Sequence, residues 1–294
     1  MGQQDLFRRV SLGHLCGDSL IAAIAGLASY ASFPPVGWWW LSIPALALYL
    51  SRIDEARVPR ALTVTFVFGM SLWIPLIDWI PLAVGTTPPW FVLAFVQTLF
   101  LMGWVLFARW TQLWSWARGP LLQATFFALT WAGVDAARSR WPWSGFPWGS
   151  VALPQVDSSL GHLAPYGGTT LITAVVVFLA VLLRRAFAAR DASIVREHWF
   201  SRPVLALIIV AASIAPLALP LPKQAENGML RIGVVQGDIA LPGAQAYSRE
   251  GEVTENNVRA SLDLASSPEV ADDPIDVAIW GEGSVDRDPK DFPA

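Results

Sequence analysis

Cysteine, lysine and histidine are nearly absent from this sequence, and charge of any kind is scarce. A single cysteine, Cys16, among 294 residues excludes an internal disulfide and any cysteine-rich metal site. Three scattered histidines, His14, His162 and His198, argue against a metal centre, and nothing in the sequence calls for a metal or a cofactor. Charged residues are 15% of the chain and hydrophobic ones 54%, whereas a soluble globular domain carries roughly 25% charged residues. With a mean hydropathy of +0.46, this composition excludes an ordinary cytosolic enzyme and an intrinsically disordered chain. A net charge of −3 excludes a nucleic-acid binder held by bulk positive charge. Sixteen tryptophans, by contrast, are many, and tryptophan favours the membrane–water interface.

The averages conceal a division. Residues 1–221 are apolar and carry fourteen arginines against nine acidic groups, a net charge of +5. Residues 222–294 carry six basic and fourteen acidic groups, a net charge of −8. A joint shift in hydropathy and charge reads as a polytopic membrane domain over 1–221, a linker at 222–228 and a water-soluble part over 229–294.

A membrane-crossing helix needs about 20 mostly apolar residues. Seven segments qualify or come close: 12–30, 38–50, 61–80, 89–107, 120–137, 165–183 and 203–221. Several begin at proline, which the first helical turn accepts because that N–H has no partner anyway. The first segment reads as a true span rather than a cleaved leader, because Tyr30-Ala31-Ser32-Phe33-Pro34-Pro35 is a poor cleavage site. With the N-terminus in the cytoplasm, the inside loops hold twelve arginines, from Arg8 to Arg202, and the outside loops only Arg138 and Arg140. That is a positive-inside pattern, and an odd number of spans then puts the acidic part outside the cytoplasm.

Most tryptophans, among them Trp38, Trp39, Trp40, Trp73 and Trp79, are expected in an interfacial belt. Asp78 and Asp135 read as boundary charges that reach water, and Cys16 as a packing residue. The loop from Arg138 to Pro165 differs. Its stretch Trp141-Pro142-Trp143-Ser144-Gly145-Phe146-Pro147-Trp148-Gly149 holds two prolines and two glycines, which forbid a regular helix. Irregular backbone near a membrane must be covered by protein or line a cavity. The loop is therefore either a binding surface for lipid chains or a tight interfacial turn.

In the acidic part, 229–238 is a short β-branched run ending in the polar turn Gln236-Gly237-Asp238, which reads as a buried strand. An amphipathic helix is expected over 250–265 and a second strand over 275–280. The order β-α-β implies parallel pairing and an α/β layer. The second strand runs into Gly281-Glu282-Gly283-Ser284. A carboxylate just past the carboxyl end of a parallel strand stands where α/β folds place catalytic groups, although a surface glutamate in a glycine-rich turn fits the same residues. Two strands cannot finish such a fold. Either the chain is a piece of a longer one, or a second chain completes the domain.

Taken together, these residues resemble the N-terminal portion of the apolipoprotein N-acyltransferase family. Phe33-Pro34-Pro35-Val36-Gly37-Trp38 is similar to its junction between the first two spans. Gly145-Phe146-Pro147-Trp148, with the stretch from Gln155 to Gly168 after it, resembles its Gly-Phe-Pro-Trp signature. Val234-Val235-Gln236-Gly237-Asp238-Ile239 resembles the first strand and turn of its nitrilase-like (carbon-nitrogen hydrolase) domain, and Ile279-Trp280-Gly281-Glu282-Gly283-Ser284 its Trp-Pro-Glu motif. The resemblance implies a bacterial inner-membrane enzyme of lipoprotein maturation with a Glu-Lys-Cys triad, in which Glu282 is the general base. It implies a phospholipid acyl donor, a diacylglyceryl apolipoprotein acceptor and an S-acyl-enzyme intermediate. Two departures stand out. Gly281 occupies the proline position. No residue matches the triad lysine or cysteine: Lys223, Lys290 and Cys16 are all misplaced, and the family's last span has no counterpart. The chain alone is therefore expected to be inactive. Competing readings are a non-catalytic lipid- or subunit-binding protein of the same descent, a membrane-anchored amidase and a transporter. The last requires polar groups along the spans, where Gln97 and Gln123 are the main ones.

Overall fold

The computed structural model describes residues 12–54, 56–111, 119–188, 202–221, 229–238, 251–281 and 283–285. The linker expected at 222–228 lies outside them, and so does Glu282. The chain divides into two compact units, one of residues 1–78 and 90–222, the other of 79–89 and 223–294.

The first unit is helical. It contains α1 (Leu12–Ala31), α2 (Ser42–Ile53), α3 (Val58–Leu76), and, after a short α4 (Ile80–Val84) that groups with the second unit, α5 (Pro88–Thr111), α6 (Pro120–Arg138), α7 (Ala164–Ala188) and α8 (Arg202–Ile214). Among the described residues, three helices are long and apolar enough to cross a membrane: Val58–Leu76, Pro88–Thr111 and Ser159–Phe187. They coincide with the spans expected at 61–80, 89–107 and 165–183. Leu15–Ala31 and Pro203–Ala218 are shorter apolar helices. The segment expected at 38–50 is a 3₁₀ turn, Trp39–Leu41, followed by the 12-residue α2.

Small residues and a few large rings hold the bundle together. A methyl group on Gly26 of α1 would sit 2.5 Å from the Phe68 carbonyl of α3, and one on Gly69 would sit 2.6 Å from Thr98 Oγ1 of α5. Glycine at these points lets helices approach closely, which in lipid is the main source of packing energy. Tyr49 of α2 stacks on Phe68 with ring centroids 4.1 Å apart, and its hydroxyl meets Thr65 Oγ1 at 2.8 Å. Trp104 of α5 fits edge-on between Trp131 and Phe127 of α6. Trp90 Nε1 donates to the Ile74 carbonyl at 2.8 Å, capping a group freed at the end of α3.

Three expectations need correction. Trp73 is not a residue of an exposed belt; it is 1% exposed, packed against Phe146 and Gly149 near the end of α3. Cys16 does not pack inside but lies exposed on α1. Asp135 is not a free boundary charge, since it is only 11% exposed and paired with Arg138. The spans also hold an ion pair that hydropathy hid: Asp18 of α1, buried, accepts from Arg60 of α3.

The second unit carries β1 (Ile232–Val235), α9 (Glu252–Ala265), α10 (Pro268–Asp272) and β2 (Val277–Trp280). The strands pair in parallel, Ile232 opposite Val277 through Val235 opposite Trp280, as the β-α-β order implied. Alternation sorts the faces of β1. Gly233 and Val235 are buried, with Gly233 against Leu264 of α9, while Ile232 and Val234 are exposed. Val277 and Ile279 of β2 are exposed as well.

Candidate functional site

Two groups of candidate residues fall in the two units, and each is built by its own local chemistry. In the first unit, α6 ends at Arg138 and the chain turns sharply. Trp143, Ser144 and Gly145 all have positive φ, at 46°, 76° and 77°, a backbone that only glycine adopts at no steric cost. Gly145 is also obligatory for space, since a methyl there would fall 2.2 Å from the Arg140 nitrogen. Gly149, at φ +72°, would place one 2.3 Å from the ring of Trp73.

The loop is fastened from beneath by Arg138, whose side chain is 4% exposed. Its guanidinium donates to the carbonyl of Phe146 at 2.9 Å and to that of Trp148 at 2.7 Å. The same group pairs with Asp135, reaches Gln97 Oε1 on α5 at 3.4 Å, and lies over the Trp73 ring, 5.0 Å from its centroid. Asp135 also accepts from Ser150, at 2.7 Å. The four signature residues are thus held by backbone. Gly145 and Phe146 are half-buried, with Phe146 tilted against Trp73, and Pro147 and Trp148 are exposed. Trp141 and Trp143 project outward, the latter 95% exposed. Under the loop runs a narrow, mainly apolar cleft whose lining includes Ser29, Phe68, Trp73, Trp131 and Asp135. Ser29 Oγ and Trp73 Nε1 are buried there without a hydrogen-bond partner among the described residues.

A second knot steadies the following stretch. Gln155, fully buried in the 3₁₀ turn Leu153–Asp157, donates to Ser42 Oγ at the start of α2 at 2.7 Å and accepts from Ser158 at 2.9 Å. Ser158 in turn caps the next 3₁₀ turn through the Leu160 N–H.

In the second unit, the turn after β1 and the turn after β2 are tied by Asn257 of α9, which is 0% exposed. Its Oδ1 accepts from the Gly237 N–H at 2.7 Å, and its Nδ2 donates to the carbonyls of Val253 and Ser284 at 2.9 and 3.3 Å. Gly237 must be glycine, because a methyl would lie 2.6 Å from Asn257 Nδ2. Asn256 Nδ2 reaches the Asp238 carbonyl at 3.1 Å. Gln236 crosses toward the other turn, its Oε1 lying 3.1 Å from where a β-carbon of residue 281 would stand. Glycine at 281 therefore goes with the path of the Gln236 side chain. Trp280 Nε1 donates to Ser261 of α9 at 2.8 Å, fixing the end of β2. Glu282 follows Gly281 in this same chain segment but lies outside the described residues.

Sequence reasoning found the loop and the two turns and missed what fastens them. Arg138, Asp135 and Asn257 act through tertiary contacts. The one local signal was Asn256-Asn257 early in a helix, where asparagine is a poor former and usually has another task.

An apolar helical bundle with membrane-length helices, a glycine-shaped aromatic loop and a parallel β-α-β element defines a membrane protein with an α/β appendage. Residues 25–182 match the family model described as the apolipoprotein N-acyltransferase N-terminal domain, and the chain belongs to that family. It is 32% identical to the apolipoprotein N-acyltransferase of Mycolicibacterium smegmatis, over 93% of this chain and 47% of that protein. It is 25% identical to the one from Pseudomonas putida (91% of this chain, 52% of the relative) and 28% identical to the one from Pseudomonas syringae pv. tomato (92% and 52%). The chain spans about half the length of the curated relatives it matches.

Proposed function

We propose that this chain is the membrane part and the opening of the nitrilase-like domain of an enzyme that N-acylates the N-terminal diacylglyceryl-cysteine of apolipoproteins. A phospholipid supplies the acyl group. A cysteine thiolate takes it as a thioester and releases the lysophospholipid, and the acceptor's α-amino group then attacks the thioester to form the amide and free the thiol. Glu282 accepts the thiol proton and passes it to the departing lysophospholipid oxygen, then accepts the amine proton and returns it to the departing thiolate, and a lysine helps hold the oxyanion of each tetrahedral intermediate. The spans, seven in this reading, sit in the bacterial cytoplasmic membrane with the N-terminus inside, and residues 229–294 lie outside the cytoplasm. The loop carrying Gly145, Phe146, Pro147 and Trp148 meets the lipid substrate, and the turn at Gln236, Gly237 and Asp238 flanks the reacting groups.

The observation that carries the reading is the family match over 25–182, joined in one chain to a β-α-β unit whose two carboxyl-end turns are bonded to one buried asparagine. The triad lysine and cysteine must come from outside residues 1–294, on a continuing chain or on a second one. The test is acyl transfer from phospholipid to a diacylglyceryl peptide in detergent. The 1–294 chain alone is expected to show none. Protein carrying the missing lysine and cysteine is expected to turn over, and Glu282→Gln to abolish that turnover. Turnover by 1–294 alone, or full activity of Glu282→Gln, would overturn the proposal.

A further inference from the structure

The bundle holds a second concentration of charge, away from the aromatic loop. Arg109 closes α5, and Arg184 and Arg185 lie near the end of α7; all three fall within the last few residues of the membrane-length helices Pro88–Thr111 and Ser159–Phe187. Arg109 and Arg184 converge on the C-terminal end of α2. Arg109 donates to the carbonyls of Ile53 and Ala56 there, and Arg184 pairs with Asp54. Arg185 donates to Gln123 Oε1 of α6. Arg184 and Asp54 are the charged neighbours that Arg109 and Arg185 share.

Among the described residues this cluster therefore carries three guanidinium groups against one carboxylate. The imbalance is not simply solvated. The Arg184 side chain is 9% exposed, and the Nε–H groups of Arg184 and Arg185 are buried with no partner among the described residues. Buried positive charge in excess of its counter-charge is costly, and a guanidinium fork matches the planar pair of oxygens of a phosphate or a carboxylate. Beside Arg109 lies a narrow cleft bounded by Ile53, Asp54, Val105, Ala108 and Phe127. Its walls are apolar apart from the charged rim. Leu106 and Phe107 of α5 and Leu122 of α6 are exposed, an apolar surface along which acyl chains would lie.

We propose that Arg109, Arg184 and Arg185 form a binding site for the phosphate headgroup of an anionic phospholipid, separate from any acyl-donor site. The site rests on the membrane reading of the bundle and not on the acyltransferase reading, so failure of the acyl-transfer assay would leave it standing. Basic pockets between helix ends at the membrane surface are where anionic headgroups are held.

The test uses the purified 1–294 chain in neutral detergent. Phosphatidylglycerol, phosphatidylcholine and inorganic phosphate are added separately, with thermal unfolding and native mass spectrometry as readouts. Phosphatidylglycerol is expected to raise Tm and remain bound in the mass spectrum, while phosphatidylcholine and phosphate do neither. Arg185→Gln is expected to weaken phosphatidylglycerol binding about five- to tenfold, whereas Arg57→Gln, at an exposed arginine outside the cluster, leaves it unchanged. Equal binding of phosphatidylcholine would overturn the site, and an equal Tm rise with phosphate would make it a free-anion site instead. Equal losses in the two variants would reduce it to diffuse surface charge. If Arg185→Gln does not fold, the lipid comparison on the unmodified chain decides alone.

Discussion

Replacing Arg138 by methionine removes the charge and the fork while keeping much of the side-chain volume. In the folded chain one guanidinium serves Asp135, Gln97 and the carbonyls of Phe146 and Trp148, and lies over Trp73. Losing it leaves the Asp135 carboxylate, 11% exposed, with only the Ser150 hydroxyl. Breaking a buried pair from one side costs about 3–5 kcal/mol. For a chain of this size that corresponds to a fall in Tm on the order of 10 °C. Lysine keeps the charge, but one ammonium cannot span four acceptors in different directions, so Arg138→Lys should lose about 1–3 kcal/mol. The decisive measurement is a double-mutant cycle, with thermal unfolding of the detergent-solubilised chain as readout. Asp135→Asn keeps the acceptor for Ser150 and removes the stranded charge, so Arg138→Met with Asp135→Asn should be more stable than the sum of the single losses by about 1–3 kcal/mol. A cost below about 1 kcal/mol for Arg138→Met, or strict additivity in the cycle, would refute the account of Arg138 as the clamp of the loop.

Three further outcomes are expected. Asn257→Leu should strip the Gly237 amide of its acceptor, at a cost of about 1–3 kcal/mol for the buried group; hydrogen exchange in a peptide covering Gly237 should speed up, and unchanged protection would contradict the tie between the two turns. Gly149→Ala combines a positive φ with a methyl driven into Trp73, so it should cost about 2–5 kcal/mol in thermal melts, whereas Gly103→Ala, with nothing within 4 Å, should not lower Tm. Trp143→Ser, at the exposed tip of the loop, should alter stability by less than about 0.5 kcal/mol, and a larger loss would mean that the ring is buried against something.

The elements were readable from sequence wherever one force acts on consecutive residues. Apolar runs of membrane length reveal α3, α5 and α7 because lipid imposes hydropathy on a whole turn-by-turn segment. The β-branched run at Ile232–Val235 and the turn glycines around it reveal a strand and its end. The prolines and glycines of the Trp141 to Gly149 loop exclude a helix without any knowledge of the fold. What escaped depends on partners distant in sequence. Trp73 of α3 reads as interfacial by type, yet Arg138 and the loop residues Phe146 and Gly149 close over it. Asp135 reads as a terminal charge because Ser150, 15 residues on, reaches it only once the loop has folded back. Asp18 and Arg60 are 42 residues apart, and neither looks unusual alone. Asn257 is a polar residue buried on an amphipathic helix, and its burial follows from where the two turns lie.

The bond between Gln155 and Ser42 spans 113 residues, and this sets an order of events. A chain entering a membrane does so from its N-terminus, and a contact of that sequence separation pays its closure entropy only after the intervening helices have settled. The Ser42 hydroxyl therefore waits at the head of α2 while α3, α5 and α6 are laid down, and the turn at Leu153–Asp157 can set only against a finished wall. The Gln155 contact is thus a late bond, one that closes a long stretch of chain only after the helices between its ends are in place.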